Sequence, residues 1–297
     1  MKRPDISIIV SCWSASDIIE DSLRSITDTA TDISVEVFVI DDASPDAEEL
    51  RPIEEKFKQD ERFTFIYNQE NIGYSKTANM LLERATGKYL MTFDTDARVK
   101  PGSLRSLYDF MEQNPQAGAA LGKLLNPDGS LQYYYRRILT PVYYFSTTPL
   151  GRFIDKYFLG LRWFKAYHYD DLDLTKTSEM EQPPVACLII RREALRPDPH
   201  IFDPRFRLYM LDVDFAKTLY DRGYKIYVVH DAPVVHIKTA TASRRGWTWL
   251  ERELYKSFRD YFRKHYPALY PIILLTIWLD IGTRTLLRAT TKKDLMR

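Results

Sequence analysis

Five acidic positions and one histidine carry the chemistry that this sequence can support. Asp94-Thr-Asp96 places two carboxylates one residue apart, just beyond an apolar run. Such a pair can share a divalent cation, because Mg²⁺ prefers oxygen ligands and takes one or two from protein, with phosphate and water completing its shell. Alone the pattern is weak, since a solvated loop pair reads the same way. Asp41-Asp42 also follows an apolar run. A carboxylate there can accept from a base N–H or a ribose hydroxyl, and the stretch Asp41 to Asp46 is equally good turn chemistry. Asp212 opens an apolar helical pattern between Leu211 and Val213. It could be a helix-end carboxylate, or a base with a pKa raised by burial. His236 could complete a metal shell suited to Mn²⁺ as well as Mg²⁺, or be a packed side chain. No Gly-x-Gly-x-x-Gly, Walker loop or Gly-x-Ser-x-Gly elbow is present. Phosphates would therefore need a cation on the carboxylates.

These residues need a scaffold that brings them to one edge. Ile6 to Val10, Val35 to Ile40, Phe63 to Tyr67 and Tyr89 to Phe93 read as strands. Between them, Ile18 to Ile26 has helical spacing behind a Ser14/Asp17 capping box, Glu48 to Gln59 reads as helical, and Ser75 to Ala85 forms a helix closed by Gly87. This rhythm predicts an α/β fold: a mainly parallel, doubly wound sheet with helices on both faces. Right-handed crossovers put the strand C-termini, and hence both acidic pairs, on one edge. Farther on, Pro101 opens a helix to about Gln113. Ala117 to Tyr135 reads as two strands about the Asn126-Pro-Asp-Gly129 turn. Val185 to Ile190 reads as a strand, Leu211 to Arg222 as a helix stopped by Gly223, and Tyr224 to Val229 as a strand. Residues 136–180 are crowded with aromatics and yield no assignment.

The 297 residues are 45% apolar with a net charge of +1, which offers no case for nucleic-acid binding. The charge is uneven: from Lys238 onward there are thirteen basic residues against five acidic, leaving 29 against 36 before it. Cys12 and Cys187 are too far apart for a metal spacing, are expected as buried thiols, and fit a reducing compartment. The N-terminus reads as a strand rather than a signal peptide. The longest uncharged stretch, Tyr266 to Leu279, is shorter than the ~20 residues of a spanning helix.

In this order the motifs resemble the family-2 glycosyltransferases of the GT-A fold. The resemblance rests on Ile6 to Trp13, Phe38 to Ser44, Asn71-Ile-Gly-Tyr-Ser-Lys-Thr-Ala-Asn79, Thr92 to Asp96, Leu211-Asp-Val-Asp214, Gly223-Tyr224 and Val235-His236, and covers about residues 5–240. It implies an inverting, metal-dependent hexosyl transfer from a nucleotide-sugar. Asp212 would be the base, Asp96 a metal ligand with Asp94 close by, and His236 a partner of metal or diphosphate. Ser11, Trp13, Asp41, Asp42, Lys76 and Asn79 would contact the donor. The sequence departs from the family pattern at Cys12-Trp13-Ser14, at Leu211 before Asp212, and at Ala186-Cys187. The segment Gly122 to Gln132 with Arg136-Arg137 looks like the rhamnosyltransferase branch, which implies dTDP-L-rhamnose.

The resemblance divides the chain into a transferase domain over 1–240, with a nucleotide-sugar half (1–100) and an acceptor half (101–240), and a helical tail over 241–297. Trp247 to His265 interleaves aromatic and basic residues. That pattern predicts a helix at an anionic membrane surface, or one packed on the domain or a partner. A saccharide or lipid-linked saccharide acceptor for a surface polysaccharide fits it, on a protein peripheral to the cytoplasmic face of the membrane. A sugar-phosphate nucleotidyltransferase would show a Gly-rich basic loop after the first strand, and Cys12 to Asp17 is not one. A non-catalytic docked protein would be free to lose Asp96 or Asp212, and both are present.

Overall fold

A computed structural model describes residues 3–237 and 247–294. The first hundred residues alternate β1 (Ile6–Cys12), α1 (Ile19–Thr29), β2 (Val35–Asp41), α2 (Arg51–Phe57), β3 (Phe63–Tyr67), α3 (Tyr74–Arg84) and β4 (Tyr89–Phe93). There follow β5 (Ala97–Val99), α4 (Ser103–Gln113), β6 (Ala117–Leu125), α5 (Pro141–Thr147), α6 (Pro149–Phe158), α7 (Arg162–Tyr167), β7 (Ser178–Met180), β8 (Cys187–Arg191), α8 (Leu211–Asp221), β9 (Lys225–His236), α9 (Trp247–His265) and α10 (Tyr270–Asp294).

The strands form one sheet in the order β3-β2-β1-β4-β8-β6-β9-β5, with β7 also on β9. Strands β1 to β4 are mutually parallel, and β6 and β9 run with them. β8 is antiparallel between β4 and β6, so the chain ahead of β8 reaches the edge where β4 ends. Period-two alternation supplies both faces. Val37 and Val39 join a core with α1, α2 and α4, while Phe38 and Ile40 join a second with α3, α8 and α9.

Local chemistry explains where the elements differ from expectation. β1 runs on to Cys12, and α1 starts only at Ile19, without a side-chain cap. Ser14 sits at φ 48°, and its N–H donates to Ser44 Oγ (2.9 Å), so the expected capping box is replaced by a turn at the sheet edge. α3 ends at Arg84. Gly87 is needed at the next corner, where a Cβ would come within 2.6 Å of the Ser7 backbone nitrogen. The Asn126–Gly129 turn forms, but the expected second strand shrinks to one bridge, Leu125 to Leu131. Side chains replace the ladder there: Tyr135 Oη accepts from Leu124 N, and Gln132 turns toward β9. Residues 136–180 hold three short helices. Two begin with Thr-Pro: Thr140 caps α5 by accepting from Tyr143 N, and Thr148 caps α6 by accepting from Gly151 N.

α9 buries one face and exposes another. Tyr261 and Phe262 are fully buried, and Tyr261 donates to Leu139 O (2.9 Å), whereas Arg252, Lys256, Arg259 and Arg263 are exposed. No helix among the described residues is long and apolar enough to cross a membrane.

Candidate active site

The C-terminal ends of the parallel strands border a cavity of about 300 Å³. β1 contributes Ser11 and Trp13, the turn after β2 contributes Asp42, and the turn after β4 contributes Asp94 and Asp96. The approach to β8 adds residues 184–186, the approach to α8 adds residues 207–212, β9 ends there with His236, and Trp249 reaches in from α9.

Sheet register brings the histidine to the carboxylates. β5 leaves the Asp94–Asp96 turn and pairs antiparallel with β9, setting Ala97 opposite His236. Ligand atoms of Asp94, Asp96 and His236 then lie within 4.8 Å of one another, with His236 Nε2 3.4 Å from Asp96 Oδ1. His236 Nδ1 is 2.8 Å from Gln132 Oε1. The Gln132 amide nitrogen donates to Asn126 Oδ1 and His236 O, so its oxygen is the acceptor and Nδ1 carries the proton. Nε2 is therefore the ring nitrogen that faces the two carboxylates. Burial, then repulsion from Asp96, pushes the Asp94 pKa up to about 6; His236 and the Tyr74 hydroxyl, 3.3 Å away, oppose the rise. Two oxygens and one nitrogen, with one carboxylate destabilised as an anion, make a donor set that fits Mg²⁺ or Mn²⁺.

Asp212 stands in the first turn of α8 and lines the same cavity. Burial raises its pKa above the ordinary carboxylate value, partly offset by the Val213 backbone and Gln182. Gln182 Nε2 donates to Asp212 Oδ2 (3.2 Å), while Gln182 Oε1 is buried with no partner.

The acidic pair after β2 is split. Asp42 accepts from Asn68 Nδ2 and Ile72 N on one oxygen and from Gly73 N on the other. It thereby holds the loop ahead of α3, and Gly73 has no Cβ because Arg207 Cγ would lie 2.3 Å from it. Asp41 is buried behind the cavity wall: Oδ2 accepts from Ser44 N, and Oδ1 has no partner. Lys76 and Asn79 do not line the cavity. Lys76 is exposed on α3, and Asn79 spends its carboxamide on the backbone of Ile201 and Phe202. The reason is helical rotation: α3 begins at Tyr74, which faces the cavity, and later positions turn away. Arg136 donates to Tyr135 O and Arg137 pairs with Asp171 and Glu181, so neither is aimed at the acidic cluster. Burial raises both thiol pKa values, Cys12 to about 12, which leaves inert packed cysteines.

Tyr74, Gln132, Tyr134, Gln182, Arg207 and Tyr209 are site residues that motif reading passed over. Two had a signal: Tyr74 lies inside the Asn71 to Asn79 segment at a helix start, and Gln132 closes the Gly122 to Gln132 segment.

The sequence model of Glycosyl transferase family 2 matches residues 7–196. A Bacillus subtilis (strain 168) glycosyltransferase named for teichuronic acid biosynthesis is 32% identical over 130 residues, which are 43% of this chain and 50% of that protein. The N-acetylglucosaminyl-diphospho-decaprenol L-rhamnosyltransferase of Mycobacterium tuberculosis (strain ATCC 25618 / H37Rv) is 25% identical over 256 residues, 80% of this chain and 78% of that one. The crystal structure of GalNAc-T7 with UDP, GalNAc and Mn²⁺ superposes with a TM-score of 0.59 at 15% identity, covering 88% of this chain and 47% of that one. The chain thus spans half of the Bacillus relative and less than half of GalNAc-T7. With the family pattern running through β1, β2, β4 and β8 and the sheet arranged as in those structures, the chain belongs to glycosyl transferase family 2 and has the GT-A fold.

Proposed function

We propose that this chain is an inverting hexosyltransferase of surface-polysaccharide synthesis, moving L-rhamnose from dTDP-L-rhamnose to a hydroxyl of a saccharide or lipid-linked saccharide. One observation carries the reading: a single cavity holds Asp212, a carboxylate with a raised pKa, together with the Asp94–Asp96–His236 cluster. A base, and a centre able to hold a cation against the leaving diphosphate, are what a displacement at a sugar carbon needs. Asp212 takes the proton of the acceptor hydroxyl as its oxygen bonds to the anomeric carbon, and the bond to the diphosphate breaks on the opposite face. One displacement inverts the centre. The raised pKa makes Asp212 a stronger base than an ordinary carboxylate. Gln182 holds one of its oxygens and so orients the other. Asp94, Asp96 and His236 would hold a divalent cation, Mg²⁺ or Mn²⁺, which when bound neutralises charge on the leaving diphosphate.

Trp13 and Ser11 line the cavity at the end of the first strand and suit contact with a pyrimidine base. The rhamnosyl donor draws support from the mycobacterial relative's name and its 80% coverage of this chain. Surface-polysaccharide synthesis draws support from the name of the Bacillus relative. The exposed stripe Arg252, Lys256, Arg259 and Arg263 on α9 favours an anionic membrane surface, with the protein peripheral on its cytoplasmic face.

A thermal-shift panel of dTDP, UDP and GDP, with and without Mn²⁺ or Mg²⁺, tests this, since a ligand of the native state raises Tm by mass action. The expected result is a cation-dependent shift, largest with dTDP. A larger shift with UDP or GDP would overturn the thymidine donor. No shift with any diphosphate in the presence of cation would overturn the transferase reading.

A further inference from the structure

A second cavity, of about 630 Å³, adjoins the first. It lies among α5, α9 and α10, in the size range of small-ligand sites. Leu250, Leu254, Tyr255 and Phe258 of α9 give it an apolar and aromatic wall, and Tyr144 and Thr147 of α5 line it as well. Tyr209 lines both cavities, so the two spaces meet at one side chain. Three charged side chains line it, Glu251, Asp280 and Arg284. Asp280 accepts from Tyr255 Oη (2.9 Å) and Arg284 Nε (2.7 Å), and Arg284 also donates to Thr147 O. Tyr144 is almost wholly buried, and its hydroxyl has no hydrogen-bond partner.

The surface beside this cavity is unlike an ordinary protein surface. α10 is apolar on two sides. Ile273 and Ile277 enter the core, while Ile272, Leu275, Trp278 and Leu279 each stay more than half exposed. α6, which packs on α10, adds Leu150, Phe153, Tyr157 and Phe158, also more than half exposed. Two helices far apart in sequence thus pool their apolar side chains in one region, which marks a contact surface. Exposed Arg152, Lys156, Arg162 and Lys165 lie on α6 and α7. Apolar and aromatic side chains among cations fit the interface of an anionic lipid layer.

We propose that the α5–α9–α10 cavity binds the hydrocarbon chain of a lipid-linked acceptor, which enters from the α6–α10 face and presents its polar, sugar-bearing end past Tyr209 toward Asp212. The proposal rests on the acceptor class proposed above and adds where the lipid lies. The cavity's apolar and aromatic wall suits the chain. Its boundary with the catalytic cleft at Tyr209 is what a generic surface groove would lack.

The test uses the full chain in mild detergent and a benzophenone-bearing farnesyl phosphate as probe, with cross-linked peptides identified by mass spectrometry. Saturable labelling of residues 141–147 and 250–258 is expected. Leu254→Trp, which fills the cavity, should lower labelling at least tenfold and leave the nucleotide-dependent thermal shift unchanged. Should that variant fail to fold, Leu254→Cys serves instead. Both native thiols are buried, so benzyl methanethiosulfonate should modify position 254 alone, block labelling, and release the block on reduction. Labelling that does not saturate, that Leu254→Trp or the blocked cysteine leaves intact, or that phosphatidylglycerol vesicles abolish as readily as unlabelled farnesyl phosphate, would overturn the proposal. Loss of the nucleotide shift with labelling retained would instead count against the donor site alone.

Discussion

Asp94-x-Asp96 and Asp212-x-Asp214 share a spacing and differ in geometry. The first pair lies in a turn after β4, where the backbone is free to aim both carboxylates into the cleft. The second lies in the first turn of α8, where residues two apart are about 200° apart around the axis. Asp212 therefore faces the cleft and Asp214 faces away, into α9. There Asp214, nearly fully buried, meets Lys264 Nζ at 2.8 Å and His265 Nε2 at 2.7 Å, and Lys264 also reaches Asp203. The burial of Asp214 is compensated by the Lys264 cation and the His265 ring. The burial of Asp94 is not, and its pKa rises to about 6. A compensated carboxylate holds structure together, whereas an uncompensated one stores an affinity for a cation from outside.

Four substitutions sharpen or break this contrast. Asp212→Asn should lower kcat by about 10²–10⁴-fold, the usual worth of a general base, with nucleotide binding unchanged. Steady-state transfer within tenfold of wild type would place the base elsewhere. Asp214→Asn should leave kcat far closer to wild type and cost about 3 kcal/mol of stability, because Lys264 and His265 lose their buried partner. Denaturant unfolding with an unchanged midpoint would show that α9 is held by its aromatic face alone.

Asp94→Asn should do the reverse, raising the stability of cation-free protein by about 2 kcal/mol while abolishing cation-dependent transfer. The sign follows from linkage. The folded pKa, about 6, lies above the ordinary aspartate value of 3.8, so the wild type is unburdened below pH 4 and loses stability as pH rises through 6. The advantage of the variant should be full above pH 6 and absent below pH 4, as read by Tm across pH in chelator. A constant advantage would assign it to something other than ionisation. Gln132→Leu should have the smallest effect, about tenfold in Mn²⁺ affinity by titration, because it removes the acceptor that orients His236. Unchanged affinity would exclude His236 Nε2 as a cation ligand.

Much of the first hundred residues was legible because local patterns decide them. Continuous β-branched runs in Ile6 to Val10 and Val35 to Ile40, separated by helical spacing, leave few alternatives to parallel strands with crossovers. Asp42, Asp94 and Asp96 came with the strands that carry them. Legibility fell where a role depends on side-chain direction. Lys76 and Asn79 share a segment with Tyr74, yet α3 turns Tyr74 alone of the three to the cavity. Residues 136–180 resisted because their three helices are short and mark their starts only by Thr140-Pro141 and Thr148-Pro149. α9 read as amphipathic, but which of its faces met the protein was decided by Tyr261, Phe262 and His265 finding Leu139 and Asp214.

The sequence by itself determined the alternation of strands and helices in the first hundred residues, the acidic residues at the strand ends, and the family, because strand and helix periods and motif spacing are properties of neighbouring residues. The tertiary structure alone decided that His236 stands beside Asp96, that Gln132 orients it, that Asp214 belongs to α9 and not to the cleft, and that Tyr209 lines two cavities. Those placements come from β5–β9 register and helix packing between segments far apart in the chain. Such contacts are set by competition among many burial and hydrogen-bonding choices at once, which no single stretch of residues encodes.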